Sequence, residues 1–226
     1  YADAFRLATA AIDKFGWYNR NCAINPYLVE GKKTCAMEIA EQLAWNVPDK
    51  IFISVGDGCC IGGLYKGFGD LMELGLTERM PRIFGVQAEG SKPIYEAFKA
   101  GAEKVTFTRA ATLADSISVG SPRNWAKALR AVRRTDGDML TVTDEEILSA
   151  IPELARSTGV FGEPAGATAF AGFRKAAQSG ALSSGDRVAV VVTGNGLKDI
   201  ANAQKSVPPA LFVAPDLAEL ESKLGL

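Results

Sequence analysis

The sequence contains no histidine, and this absence excludes several common kinds of active site. Without an imidazole there is no Ser–His or Cys–His nucleophile pair and no histidine metal ligand. Acid–base chemistry in this chain therefore falls to Lys, Asp, Glu, Tyr or Cys side chains.

Cysteine is scarce, with four residues at Cys22, Cys35, Cys59 and Cys60 in a chain of 226. No CxxC pair is present, and the neighbours Cys59 and Cys60 would close a strained ring if they were oxidised to each other. The pattern favours reduced thiols in a cytoplasmic protein and argues against a redox or metal site.

The sequence also lacks a long apolar run and an excess of one charge. No stretch approaches the ~18–20 apolar residues of a membrane span, and charged residues in the first twenty positions argue against a signal peptide. The 25 basic and 26 acidic residues give a net charge of -1, which leaves no general field for a polyanion. We therefore expect neither a membrane nor a nucleic acid as a partner of this globular chain.

Short apolar runs alternate with helical patterns along the chain. This order predicts an α/β fold, a three-layer sandwich whose mostly parallel sheet is covered on both faces. Strands are predicted at 51–55, 82–87 and 187–193, with a strand end at Val142, and helices at 4–15, 34–43, 64–74, 94–99, 125–134, 144–158, 165–179 and 217–224. Thr143 and Glu146 have the spacing of a capping box. Residues 17–34 are interpreted as an irregular connector, and residues 105–122 as a loop with a short strand at 116–119.

The first predicted strand is followed by the glycine-rich segment Gly56-Asp57-Gly58-Cys59-Cys60-Ile61-Gly62-Gly63. Gly56, Gly58 and Gly62 are expected to let backbone N–H groups turn toward one point at a helix N-terminus, where the helix dipole favours an anion. The loop contains no GK[ST] and is not a nucleoside-triphosphate loop. A dinucleotide site and a plain strand-to-helix turn remain alternatives.

A second loop, Thr193-Gly194-Asn195-Gly196, follows the strongest apolar run, which we interpret as a central strand. A threonine hydroxyl can donate a hydrogen bond to an uncharged heteroaromatic nitrogen. The alternative is a threonine that only ends the strand. Together the two loops would hold a flat ring at its nitrogen and its phosphate arm at a helix start, as pyridoxal phosphate requires.

Six segments resemble threonine synthase and related fold-type II pyridoxal-phosphate enzymes, whose fold is like that of the tryptophan synthase β-subunit. They are Gly31-Lys32-Lys33-Thr34, Val55-Gly56-Asp57-Gly58-Cys59, Gly85-Val86-Gln87-Ala88, Val142-Thr143-Asp144-Glu145-Glu146-Ile147, Glu163-Pro164-Ala165 and Thr193-Gly194-Asn195-Gly196-Leu197-Lys198-Asp199. The resemblance implies that the backbone of Gly56, Asp57, Gly58, Cys59 and Cys60 binds the cofactor phosphate and that Thr193 meets the pyridine nitrogen. It also implies that residues 1–45 end a small domain and its connector, and that 46–226 form a large, incomplete cofactor-binding domain.

The activity that the resemblance implies is conversion of O-phosphohomoserine and water to threonine and phosphate. The family's Schiff-base lysine lies in a Ser-Phe-Lys-Asp type of motif that this sequence lacks, so we expect a missing N-terminal segment and no turnover by this chain alone. Lys32, Lys33 and Lys198 are interpreted as surface or hinge charges.

Leu28 and Asp57 stand where threonine synthases often carry Arg and Asn, which leaves a cysteate-synthase-like or dehydratase-like relative as an alternative. A nucleotide-binding oxidoreductase module and a non-catalytic scaffold are alternatives of other classes. The expected partners are a small amino-acid substrate, the missing segment and, as a candidate assembly, a homodimer.

Overall fold

Four parallel strands form the centre of the fold in a computed structural model that describes residues 2–21 and 24–225. The strands lie in the order β3-β2-β1-β4, and each neighbouring pair is parallel. Their bounds are β1 (Lys50–Ser54), β2 (Arg82–Ala88), β3 (Asp138–Val142) and β4 (Val188–Val191). Since parallel strands need crossover connections, helices lie between successive strands.

The described residues also form ten α-helices. They are α1 (Ala2–Phe15), α2 (Tyr27–Lys32), α3 (Thr34–Gln42), α4 (Cys59–Glu73), α5 (Pro93–Lys99), α6 (Trp125–Arg134), α7 (Asp144–Thr158), α8 (Pro164–Gln178), α9 (Ile200–Ala203) and α10 (Leu217–Leu224). None of the helices in the described part of the chain is both long and apolar enough to span a membrane.

Alternate residues of each strand point into two separate cores. On β1, Ile51 and Ile53 pack into the core that also includes α3, α4, α5 and α6, whereas Phe52 packs into the core beneath α8 and α7. All three side chains are almost fully buried. Burial on both faces explains why this strand is a continuous apolar run rather than an alternating one, and the three-layer sandwich is confirmed.

Local sequence patterns predicted several element boundaries correctly. Helices α6 and α10 begin and end where the pattern placed them, and α7 ends at Thr158 as expected. The capping box is also present: the Glu146 N–H donates to Thr143 Oγ1 over 3.2 Å, and the Thr143 N–H donates to the Glu146 carboxylate over 2.7 Å. These features depend on neighbouring residues, which the sequence displays directly.

Two interpretations of loop segments were wrong. The connector at 17–34 contains α2, which packs against α4 through buried Val29. The segment at 116–119 is not a strand, because residues 116 and 117 belong to a 3-10 turn at Asp115–Ile117. Its backbone groups are bound instead by a buried side chain, because the Ser91 hydroxyl donates to Ile117 O and accepts from Val119 N–H.

Strand β4 lies at an edge of the described sheet, and the prediction of a central strand was wrong. It pairs with β1 on one side only, and its residues are half-buried. The continuous valine run indicated cover on both faces, but such a run carries no information about how many neighbours a strand has. Because β4 is parallel to β1, the carboxyl ends of these two strands still lie side by side.

Buried Gln87 fixes the end of β1 against the next strand–helix unit. Its side-chain amide donates to Val55 O over 3.2 Å, and its carbonyl accepts from Tyr95 N–H over 2.8 Å. Val55 is the last residue before the glycine-rich loop. Gln87 therefore joins the start of that loop to the first turn of α5 through two hydrogen bonds in the interior.

Candidate functional site

A cavity of about 250 Å³ lies at the carboxyl ends of β1 and β4. The six residues that the resemblance assigns to cofactor binding all line it, namely Gly56, Asp57, Gly58, Cys59, Cys60 and Thr193. The loops meet because β1 and β4 are adjacent, which places the strand ends where ligands of parallel sheets bind.

The backbone of the first loop presents hydrogen-bond donors to this cavity. The amide N–H groups of Gly56, Asp57 and Gly58 donate to no acceptor in the part of the chain that the structure describes. Gly58 has φ +89° and immediately precedes α4, so the positive end of that helix dipole lies at the loop. Donors of this kind at a helix start suit a phosphate group.

The side chain of Asp57 binds protein rather than facing an anion. Its Oδ1 accepts from Arg123 N–H over 2.7 Å, and its backbone O accepts from Asn124 N–H over 2.9 Å. Asn124 is buried, and its Nδ2 lies 2.8 Å from Cys59 Sγ. These contacts join the start of α6 to the loop and hold its backbone in place.

Glycine at position 56 allows a second wall of the cavity to come close. A Cβ on Gly56 would lie 2.9 Å from Ile117 Cα and 3.3 Å from Ser116 O. Ser116 and Ile117 line the cavity, and the Ser91 hydroxyl holds this segment. Because Gly56 has no side chain, the backbone of Ser116 and Ile117 can pack directly against the loop.

Gly62 does not belong to the loop, contrary to the interpretation from sequence that it helps the loop N–H groups to converge. It lies inside α4, where its N–H donates to Gly58 O over 3.2 Å. A Cβ on Gly62 would lie 3.0 Å from Lys127 Cβ of α6, and one on Gly63 would lie 2.7 Å from Lys32 Cβ of α2. These two glycines permit close helix packing behind the cavity.

At the other end of the cavity, the Thr193 hydroxyl makes no hydrogen bond within the described residues. It is exposed to the cavity and available to a ligand. The neighbouring glycines make room for protein, since a Cβ on Gly194 would lie 1.9 Å from Glu163 Oε1 and one on Gly196 would lie 2.3 Å from the Phe161 ring. Asn195 caps the next turn by accepting from Leu197 N–H over 2.9 Å.

Three charged side chains that the sequence analysis gave no role in the site also line the cavity: Lys32, Glu163 and Lys198. Glu163 is buried, and its carboxylate lies 3.5 Å from Lys198 Nζ. Lys198 Nζ also donates to Ser116 Oγ over 3.0 Å. The resemblance motifs contained all three residues, but only the fold brings them to one cavity.

The cysteines form neither a disulfide nor a metal cluster within the described residues. Cys22 lies outside those residues. Burial, with a smaller effect of neighbouring Cys60, raises the pKa of the Cys35 thiol, so Cys35 is protonated at neutral pH.

A second cavity of about 340 Å³ lies between α7 and residues 196–207, and it differs chemically from the first. Its surface is almost entirely apolar, with Ile151, Pro152, Leu197 and Ile200 among the lining residues. It presents no convergent set of donors, which a specific ligand site needs. The cavity between the two predicted loops is therefore the better candidate site.

Comparison with known proteins identifies a family that matches most of the chain. The family described as "Pyridoxal-phosphate dependent enzyme" matches residues 1–194. Threonine synthase of Methanosarcina acetivorans is 45% identical over 200 residues, which are 88% of this chain and 49% of that protein. Threonine synthase of Mycobacterium tuberculosis is 37% identical over 226 residues, 100% of this chain and 61% of its own length. The chain thus spans about half the length of the curated relatives it matches.

Solved structures share the same fold at low sequence identity. The processed threonine deaminase isoform 2 of Solanum lycopersicum covers 88% of this chain with TM-score 0.72 and 22% identity, over 54% of its own chain. A pyridoxal 5'-phosphate-dependent aspartate racemase covers 87% with TM-score 0.70 and 16% identity, over 58% of its own chain. The fold-type II architecture is confirmed, and the comparisons do not favour the oxidoreductase alternative.

Proposed function

The chain belongs to the family of pyridoxal-phosphate dependent enzymes, and from that premise we propose that it is the cofactor-binding part of a threonine synthase. The complete enzyme would convert O-phosphohomoserine and water to threonine and phosphate, as a carbon–oxygen lyase acting on phosphates. The proposal assigns cofactor binding to residues 46–226, and the end of a smaller domain with its connector to residues 1–45. The similarity to several threonine synthases supports this substrate over those of other members of the family.

The observation that carries the proposal is the pairing of donors in one cavity. The N–H groups of Gly56, Asp57 and Gly58 have no acceptor in the described protein and stand at the start of α4. The Thr193 hydroxyl, equally without a protein partner among those residues, lines the same cavity. A phosphate ester at the amides and an uncharged aromatic nitrogen at the hydroxyl would satisfy both sets, and pyridoxal phosphate carries both groups.

Each of these residues has a defined task in the proposed reaction. Pyridoxal phosphate, when bound, supplies an electron sink for carbanions next to the substrate's amino group. The amides of the loop would hold its phosphate, and Thr193 would donate to its ring nitrogen and fix the orientation of the ring. Asp57, Asn124 and the 115–117 turn would keep the loop rigid, which limits the entropy lost on binding.

The chain does not supply the Schiff-base lysine that the family resemblance implies. Lys32 and Lys198 line the cavity, but neither lies in a Ser-Phe-Lys-Asp type of motif. We therefore propose that these 226 residues bind the cofactor but do not turn over substrate without a lysine from another segment.

Two measurements test this function. Calorimetric titration of the chain with pyridoxamine 5'-phosphate and with pyridoxamine tests the phosphate cradle; the phosphorylated form should bind at least tenfold more tightly, and equal affinities would refute the assignment. The reaction is tested by incubating the chain with O-phosphohomoserine and pyridoxal phosphate. A second mixture also contains the part of Methanosarcina acetivorans threonine synthase that does not align with this chain.

Threonine and phosphate should form only in the mixture that contains the complementing segment. Product formation by the chain alone would contradict the proposal that the Schiff-base lysine comes from another segment. Conversion of O-phosphoserine and added sulfite to cysteate and phosphate by the mixture, without turnover of O-phosphohomoserine, would contradict the substrate and favour a cysteate-synthase-like relative.

A further inference from the structure

Glu163 places a buried carboxylate at the end of the cavity that holds Thr193. Its side chain is only 5% exposed, and it is the residue immediately before α8, whose first position is Pro164. Its backbone N–H donates to Gly194 O over 3.0 Å, and its Oε1 packs against the Gly194 backbone, where a Cβ would lie 1.9 Å away. Isolated buried carboxylates are costly, so such a group requires a partner or a proton.

Lys198 provides a positive charge beside this carboxylate. Its Nζ lies 3.5 Å from Glu163 Oε1, while its hydrogen bond to Ser116 Oγ directs the ammonium across the mouth of the cavity. The Lys198 side chain is 62% exposed, so solvent contacts its ammonium group but not the Glu163 carboxylate. The pair therefore presents a net charge of zero to the cavity.

The other titratable groups of the cavity do not replace this pair. The Asp57 carboxylate accepts from Arg123 N–H and lies 3.8 Å from the Arg123 guanidinium. Lys32 lies beside Gly63 in α4, and Cys59 and Cys60 belong to the first turn of that helix. These four groups line the part of the cavity formed by the glycine-rich loop, and Glu163 and Lys198 are the charged groups next to the Thr193 loop.

We propose that Lys198 neutralises Glu163 so that a heteroaromatic nitrogen facing Thr193 remains unprotonated. This inference rests on the proposed function, because it takes the ring of a pyridoxal-type ligand to lie against Thr193. A hydroxyl donates to a nitrogen with a free lone pair, whereas an uncompensated carboxylate in the same cavity favours a protonated ring. Lys198 and Glu163 are thus positioning residues that act on the ring through the local charge.

The test measures the protonation of the ring nitrogen directly. Pyridoxamine 5'-phosphate labelled with ¹⁵N in the ring is bound to the chain at saturation, and its ¹⁵N chemical shift, which moves far upfield on protonation, is followed with pH. An unpaired charge about 12 Å away, at an effective dielectric constant of about 20, changes a protonation constant by about tenfold, and a nearer charge changes it by more. In Lys198→Met the midpoint should therefore rise by about one pH unit, and in Glu163→Gln it should fall.

Two further variants complete the experiment. The double variant Glu163→Gln, Lys198→Met should return the midpoint close to that of the unaltered chain. Lys205→Met is the matched control, because Lys205 binds Asn202 outside the cavity, and it should leave the midpoint unchanged.

The possible failures separate the two proposals. If the unaltered chain does not bind the probe, the proposed function is wrong. If the probe binds but Lys198→Met leaves the midpoint in place, or abolishes binding while Lys205→Met does not, the charge role of Lys198 is wrong and the proposed function stands.

Discussion

Replacing Gly58 with alanine tests how the glycine-rich loop is built. Gly58 has φ +89°, and a Cβ there would lie 2.8 Å from Asn124 O and 3.0 Å from the Asn124 carbonyl carbon. The new methyl group would therefore meet backbone, and not the cavity in which a phosphate would lie. The loop and the start of α6 would have to separate to accept it.

Two costs add up in this variant. A left-handed conformation costs a non-glycine residue about 1–2 kcal/mol, and an added methyl in a packed interior costs about 1–3 kcal/mol. We expect the free energy of unfolding to fall by about 2–5 kcal/mol. Gly75→Ala is the matched control, because Gly75 has φ +69° with nothing within 4 Å of a Cβ, and it should lose only about 1–2 kcal/mol.

The same displacement should weaken phosphate binding. Moving one amide out of reach removes a hydrogen bond to a charged group, worth about 1.5–3 kcal/mol, so the affinity for pyridoxamine 5'-phosphate should fall by about ten- to a hundredfold. Urea unfolding and calorimetric titration measure the two effects. If Gly58→Ala matches Gly75→Ala in both stability and affinity, Gly58 does not hold the loop in the way described.

Three other substitutions address the ring, the loop anchor and the response to acid. Thr193→Val should weaken pyridoxamine 5'-phosphate binding by about two- to tenfold, the worth of one hydrogen bond, while Thr193→Ser should keep the affinity; equal affinities in all three proteins would remove the role. Gln87→Leu leaves two buried backbone groups unsatisfied and should cost about 2–4 kcal/mol in urea unfolding, against a change within about 0.5 kcal/mol for exposed Gln178→Leu. The Lys50 ammonium has the largest effect, and the Ser183 backbone N–H a smaller one, in holding the pKa of Asp186 below its ordinary value. The unfolded chain therefore binds more protons than the folded chain at low pH. As a result, the free energy of unfolding should fall as the pH drops below about 4. Asp186→Asn should flatten this decline, and an unchanged acid limb would contradict it.

The sequence predicted the parts of the site that depend on neighbouring residues. Gly56 and Gly58 follow an apolar run and precede a helical pattern, so a strand, a turn and a helix start could be expected from local rules. Thr193 could be found in the same way, at the end of the valine run. Their presence on one cavity, however, depends on the adjacency of β1 and β4, which no local pattern contains.

The residues that the sequence did not assign to the site come from distant segments. Glu163 immediately precedes a helix and Lys198 lies in a 3-10 turn, and each alone has the appearance of a cap or a surface charge. They become a pair because Gly194 has no side chain and the carboxylate packs against its backbone. Gly62, in contrast, was wrongly assigned to the phosphate loop. In the sequence, a glycine needed for helix packing next to Lys127 cannot be distinguished from one needed for a phosphate loop.

The arrangement of the two loops around one ligand is tested most directly by a crystal structure of the chain with pyridoxamine 5'-phosphate. We expect the phosphate within hydrogen-bond distance of the backbone amides of Gly56 to Cys60, and the ring nitrogen facing Thr193 Oγ1. A phosphate bound elsewhere, or a ring nitrogen turned away from Thr193, would contradict it.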